Sequence, residues 1–322
     1  MKGRRVTLGL RGLVGLGLLW IVASRVELAR LRDALALSEP GPMVAGVALL
    51  LAAAGVQIVR LHVLVQPLLS RASDSVRITM GSFFFNQVLP GGLGGEVYRA
   101  VRLRGSSDRW SPALALILVE RLIGAAVLVV PALVCVLATW TRLSNLARAR
   151  WPVGERAWAG RSMVPFLVLA ALALAVASFL AISEKVRRRF RQVESSLATQ
   201  VSRLEPSRLW AAAVTSVVYH LLRVLGFAAF ARAVHERLAW TDWIIVLAVT
   251  LVVSLLPLSL GGLGLKEGAI VSGLMLFGVG EAEALLVALL NRGVLVGLAL
   301  VGGGVLLAGR RREVLPTHPE GE

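Results

Sequence analysis

Long apolar runs recur along this chain, and they constrain its fold more than any other feature. A bilayer hydrocarbon core of ~30 Å is crossed by about 20 helical residues. Runs at roughly 8–24, 42–66, 112–139, 163–183, 209–231 and 284–309 reach or approach that length. Two more apolar regions, 79–98 and 243–279, are interrupted by glycine and proline. The expected fold class is an all-α polytopic membrane protein with about six full spans and two broken segments, re-entrant or half-helical. The first run follows Lys2, Arg4 and Arg5 and can be read as a signal peptide. An uncleaved first helix is the commoner arrangement in a multispanning chain.

Composition agrees. Of the 322 residues 57% are hydrophobic, where soluble domains average about 45–50%, and the mean hydropathy is +0.76. Lys and Arg number 35 against 19 Asp and Glu, a net charge of +16. A nucleic-acid-binding protein would carry that charge on a folded polar surface. Here it lies in short clusters between apolar runs, so no nucleic-acid partner is expected. With the spans assigned, no stretch of ~100 residues remains for a soluble domain. Residues 1–309 are expected to form one membrane domain and 310–322 a cytoplasmic tail. Cys135 is the single cysteine, and the histidines at 62, 220, 235 and 318 are scattered. No disulfide, metal site or cofactor site is expected. No nucleophile–base pair is visible either, so the chain is not expected to be an enzyme.

Orientation follows the Lys/Arg clusters. The N-terminus, the stretch 71–77, the group Arg99, Arg102, Arg104 and Arg109, the run Lys185–Arg191 and the tail Arg310–Arg312 are basic. The loops near 25–40 and 232–242 are close to neutral. Both termini are expected in the cytoplasm, the chain lying in the inner, cytoplasmic membrane. This requires 79–98 to dip in from the cytoplasm and 243–279 to enter and leave from outside, as a hairpin or a pair of short helices. Loop 140–162 carries five arginines yet falls outside; Trp140, Trp151 and Trp158 point to a position along the interface.

The two broken segments resemble each other. One reads Leu89-Pro90-Gly91-Gly92-Leu93-Gly94-Gly95-Glu96; the other has Leu256-Pro257, then Gly261-Gly262-Leu263-Gly264-Leu265-Lys266-Glu267. Each precedes a polar pair deep in the next apolar run, Glu120-Arg121 and Asn291-Arg292, and each glutamate stands 25 residues before its arginine. With opposite directions of entry this is an inverted-topology repeat, with halves of about 42–139 and 209–309. The linker 140–208 contains a basic amphipathic segment, 184–208, that reads either as a surface helix on anionic lipid or as a charged connector.

Matched breaks of this kind point to a transporter's midplane site. Irregular backbone survives in a membrane only when it lines a cavity or is buried in protein. A helix starting after the turn aims its N–H groups at that cavity, which suits an anion. The competing reading is that the glycines only permit tight helix packing. Arg121 lies about nine residues into its run, roughly 13 Å deep at ~1.5 Å per residue. Arg292 lies at a similar depth from the other side. An arginine there costs at least ~2.5–3.5 kcal/mol on insertion scales and needs a partner, water or an anionic ligand. Glu96, Glu120 and Glu267 are candidate partners. Simple pairing of Glu96 with Arg121 and of Glu267 with Arg292, without a ligand, stays open. Arg223 shares a helix face with Tyr219 and is expected to face the same cavity. His220 lies off that face and is expected to make a packing hydrogen bond. Asn86 and Gln87 can cap or line the first break. Arg60 and His62 are expected to be structural, near the cytoplasmic end of 42–66, where an arginine can snorkel.

The strings FFFNQVLPGGLGGEVYRAVRLRG, ALILVERLIG, LPLSLGGLGLKEGAIVSGLMLFGVG and ALLNRGVLVG resemble the lysylphosphatidylglycerol synthase transmembrane region, a family that includes flippase-like integral membrane proteins. The resemblance spans nearly the whole chain. In two-part members a soluble domain that transfers an aminoacyl group to phosphatidylglycerol follows this region. The chain has no counterpart after Arg312, so the translocase-like half is implied without the synthase half. The family is linked to moving phospholipids, aminoacylated lipids or polyprenyl-phosphate-linked sugars between leaflets. Pro90, Gly91, Gly94, Glu96, Arg99, Glu120 and Arg121 match its first motif, and Gly261, Gly262, Gly264, Glu267 and Arg292 its second. Asn291 stands where the first half has Glu120, so the halves cannot use identical ion pairs.

The expected substrate-binding set is these residues with Asn86, Gly92, Arg223, Lys266 and Asn291. The expected function is translocation of an anionic phospholipid or lipid-linked saccharide. Alternatives are a secondary transporter of a small anionic solute and a non-transporting scaffold for an envelope-synthesis enzyme.

Overall fold

The structure is a computed structural model that describes residues 28–65, 71–89, 94–104, 110–150, 205–254 and 263–313. The expected spans 8–24 and 163–183 lie outside the described residues, as do 151–162 and most of the segment 184–208.

Ten helices form among the described residues: α1 (Leu28–Ala36), α2 (Pro40–Val65), α3 (Ala72–Val88), α4 (Gly94–Arg104), α5 (Trp110–Ala138), α6 (Trp140–Arg150), α7 (Pro206–Ala233), α8 (Trp240–Ser254), α9 (Leu265–Leu276) and α10 (Glu281–Glu313). No strand occurs among these residues. Prolines open α2 and α7, where a missing N–H costs no helical hydrogen bond. Four helices are long and apolar enough to cross a membrane: α2, α7, residues 116–138 of α5 and 281–308 of α10. The 28 residues of α7 reach roughly 42 Å at ~1.5 Å per residue. These helices stay apolar where they are exposed: Leu122, Val130, Val134 and Leu137 on α5 and Leu300, Val301 and Leu307 on α10 are uncovered. Uncovered apolar stripes of this extent belong against lipid.

The broken regions resolve into pairs of short helices. The 15 residues of α8 and the 12 of α9 are each too short to cross a core that needs about 20. The first chain break falls between Val88 and Gly94, the second between Ser254 and Leu265. Helix α4 folds back on α3: Asn86 Oδ1 accepts from the Gly95 N–H at 2.8 Å, and the Phe85 and Tyr98 rings stack at 4.7 Å. Helix α9 packs on α8 and on α10, as α4 packs on α3 and on α5.

The largest helix contact is the crossing of α2 with α7. It is made by glycines. A methyl group on Gly46 would run into the Phe230 ring and stand 3.0 Å from the Gly226 carbonyl oxygen. Around this crossing the main core joins Phe227, Phe230, Trp243, Leu247, Leu274 and Val287, all buried. Helix α3 then packs on α10, and α5 on α8, which leaves the polar faces of the middle helices turned toward each other.

Within loop 140–162, residues 140–150 are helical. Arg142 donates from Nη1 and Nη2 to the two oxygens of Asp242 at 3.0 Å each, tying α6 to the start of α8. That pairing accounts for one of the five arginines on the predicted outer side.

Candidate functional site

Helices α2, α3, α7, α8, α9 and α10 enclose a cavity of about 210 Å³. One wall is apolar, with Leu50, Ala53 and Ala54 from α2, Phe83 from α3 and Val294, Leu295 and Leu298 from α10. The rest is polar. Four carboxamides face it, Gln57, Asn86, Gln87 and Asn291, with three hydroxyls, Tyr219, Thr250 and Ser254. Two cations complete the lining, Arg223 and Lys266, and no aspartate or glutamate lines it among the described residues.

Arg223 is held by aromatic faces. Its guanidinium carbon lies 5.7 Å from the Tyr219 ring centroid and 5.9 Å from that of Phe227. Cation–π contacts orient a guanidinium without neutralising it. Tyr219 and Arg223 are one turn apart, so both reach the cavity, as the spacing predicts. His220 points elsewhere: its Nε2 lies 2.9 Å from the Gly124 carbonyl oxygen, a packing contact between α7 and α5. Among the described residues no carboxylate lies within ion-pairing distance of Arg223 or Lys266, though Glu267 and Glu96 act on Lys266 at longer range.

The glutamates of the broken segments lie beside this cavity and are engaged. Glu96 Oε1 accepts from Arg121 Nη2 at 2.8 Å. Glu267 Oε1 accepts from Arg292 Nε, and its Oε2 accepts from the Gly264 N–H at 2.8 Å. Gly264 has φ of 77°, a left-handed conformation that favours glycine, and it lets the chain turn into α9. Arg292 also donates from Nη1 to Gln87 Oε1 at 2.9 Å, so it links α10 to α3. The two pairs differ in exposure: the side chains of Arg121 and Glu96 are 35% and 23% exposed, those of Arg292 and Glu267 10% and 2%.

A third cluster was not legible as such. Glu120 does not pair with its neighbour Arg121. Its Oε1 accepts from Arg60 Nε and Nη2 at 3.1 and 2.9 Å, and its Oε2 from Arg99 Nη1 at 3.0 Å. Arg60 also reaches Ser216 Oγ at 3.3 Å. The expected snorkelling of Arg60 is therefore wrong: the side chain turns inward and is buried. A buried carboxylate on α5 offers more than the interface does.

Of the residues singled out in the sequence, Asn86, Gln87, Tyr219, Arg223, Lys266 and Asn291 line the cavity. Glu96, Arg121, Glu267 and Arg292 form the two paired struts beside it. Arg99 and Glu120 belong to the buried Arg60 cluster, and neither lines the cavity. Gly94 is buried at the start of α4. Pro90, Gly91, Gly92, Gly261 and Gly262 lie outside the described residues. Gln57, Thr250 and Ser254 went unnoticed. Their signal was present: each is a polar residue within an apolar run, and Thr250 and Ser254 are four apart on one face of α8.

A family model described as lysylphosphatidylglycerol synthase TM region matches residues 8–303. No curated protein and no solved structure matches the chain. A match over that length, on a helical chain with buried charges at the motif positions, shows that the protein belongs to the lysylphosphatidylglycerol synthase TM region family and is a multi-pass membrane protein.

Proposed function

We propose that the protein is a lipid translocase that passes a phosphate-bearing headgroup through the central cavity while the lipid's chains remain in the bilayer. The lining of the cavity carries this reading. Arg223 and Lys266 face it with no carboxylate among the described lining residues, and a cation in a membrane interior costs about 2.5–3.5 kcal/mol on insertion scales. Two cations with no carboxylate in ion-pairing contact among the described residues favour an anion. Volume sharpens the point. Pockets for drug-sized ligands measure roughly 300–1,000 Å³, so a cavity of about 210 Å³ takes a headgroup and not a whole phospholipid.

We infer further that α2–α5 and α7–α10 are halves of an inverted repeat. Their helix orders correspond, α3 packs on α10 as α5 packs on α8, and each half has its Glu–Arg pair 25 residues apart. With the runs at 8–24 and 163–183 as spans, the chain has six full crossings. Its basic clusters then face the cytoplasm together with both termini, in the cytoplasmic membrane. Lysyl transfer is no part of this reading.

The experiment is lipid exchange in proteoliposomes with labelled phosphatidylglycerol and a polyprenyl-phosphate glycoside, beside an Arg223→Ala/Lys266→Ala variant. Exchange that the variant loses is the expected result. A folded protein that moves neither lipid overturns the reading. The small volume equally favours a soluble phosphate ester as cargo, and uptake of one by the same vesicles would then replace the lipid.

A further inference from the structure

We propose that Tyr219 is a positioning residue: its ring aims Arg223 into the cavity, and the buried Arg60–Glu120 pair, which lies outside the cavity, holds the ring in place. This rests on the proposed function only in taking Arg223 as a group that meets an anion, and it names what controls that group.

One aromatic ring serves two guanidiniums. The Arg60 guanidinium carbon lies 5.3 Å from the Tyr219 ring centroid, and that of Arg223 lies 5.7 Å from it. Arg223 belongs to the cavity lining and Arg60 does not. Tyr219 and Arg223 share a face of α7, whereas Arg60 comes from α2. The ring therefore joins the cavity to a cluster built on other helices.

Arg60 is the anchored end. Its Nε and Nη2 donate to Glu120 Oε1 at 3.1 and 2.9 Å, and its Nη1 donates to Ser216 Oγ at 3.3 Å. Three donors of one planar fork fix its orientation. Helix α5 comes close at this point: a methyl group on Gly124 would stand 3.2 Å from Arg60 Nη1. The Gly124 carbonyl oxygen lies 2.9 Å from His220 Nε2, and the His220 ring meets the Tyr219 ring at 5.0 Å and 72°. Two neighbours of the Tyr219 ring are thus tied to α5.

Arg223 is the responding end. The Tyr219 and Phe227 rings hold it, the second at 5.9 Å. Such contacts orient a guanidinium without neutralising it, so its charge stays available to a phosphate. Glu120 Oε2 also accepts from Arg99 of α4 at 3.0 Å. A line of contacts therefore runs from α4, in the first broken segment, through Glu120, Arg60 and Tyr219 to Arg223. Without Arg60 the ring can turn, and Arg223 loses its aim.

The test uses the full chain in detergent and has two readouts. The first needs no ligand: Arg223 is labelled with methylglyoxal, an arginine-selective dicarbonyl, and its peptide is measured by mass spectrometry. Arg60→Gln, which leaves Arg99 beside Glu120, is expected to speed labelling of Arg223 by at least about threefold. Tyr219→Phe keeps the ring and is expected to preserve that effect of Arg60→Gln; Tyr219→Leu is expected to abolish it. Unchanged labelling in Arg60→Gln overturns the proposal, even where the leucine variant fails to fold. An undiminished effect on the leucine background also overturns it, because charge then acts through space without the ring.

The second readout is calorimetric binding of sn-glycerol 3-phosphate. The wild type is expected to bind it and Arg223→Ala to lose it. Arg60→Gln is expected to weaken binding by at least about threefold, and to add no loss on the Tyr219→Leu background. Equal affinity in Arg60→Gln and the wild type overturns the positioning role. If the wild type binds no glycerol phosphate, the anion reading of the cavity fails, and the labelling decides the role of Tyr219 by itself.

Discussion

Arg60 on α2 donates two hydrogen bonds to Glu120 on α5, at 3.1 and 2.9 Å, across 60 residues of sequence. Arg99 on α4 takes the other carboxylate oxygen, so one buried anion holds two buried cations. Removing the anion leaves both cations uncompensated, and breaking a buried pair costs about 3–5 kcal/mol. Glu120→Gln is therefore expected to lower the unfolding temperature more than Arg60→Gln, which leaves Arg99 and Glu120 as a matched pair. Thermal unfolding in detergent checks the order, and equal or reversed losses contradict it.

The two Glu–Arg pairs of the broken segments are expected to differ in worth. Arg292 and Glu267 are nearly excluded from solvent, and Arg292 also holds Gln87. Arg292→Ala should cost about 3–5 kcal/mol through the buried carboxylate it leaves behind. Arg121 is about a third exposed, and screening brings such pairs toward ~0–1 kcal/mol. Denaturation of the two alanine variants measures both, and a larger loss for Arg121→Ala would contradict the exposure argument.

Arg223 and Lys266 should behave in the opposite way. Among the described residues no carboxylate lines the cavity beside them, and under the proposed function that cost serves a ligand. Lys266→Met is expected to hold or raise the unfolding temperature while transport falls by at least about tenfold. Stability and transport falling together would make Lys266 a structural residue.

At the α2–α7 crossing a side chain has nowhere to go. Gly46→Leu must displace the Phe230 ring or separate the helices at Gly226. Overpacking of this kind costs about 1–3 kcal/mol. Gly55, on the same helix, has open space around its Cα, and Gly55→Leu should fold normally. Yields of monodisperse protein in detergent separate the two cases.

Local chemistry accounts for what was legible. The positions of the four described spans, the helix breaks at the glycine motifs and the two Glu–Arg pairs at equal spacing all follow from features within one segment or from matching segments. Arg223 and Tyr219 could be placed on one face because four residues make about one helical turn. The partner of Glu120 was not legible. Its neighbour Arg121 points away from it, while Arg60 comes from another helix and reverses the direction that its place near a helix end implies.

The amino-acid order alone thus determined that the chain is a helical membrane protein, where its helices break, and which buried charges demand partners, because hydropathy and spacing act along the chain. Tertiary structure alone decided which charges are satisfied and which are left facing a cavity. A guanidinium in a membrane goes to whichever carboxylate the packing of other helices brings within about 3 Å. That packing put Arg121, Arg292, Arg99 and Arg60 against glutamates and left Arg223 and Lys266 beside amides and hydroxyls.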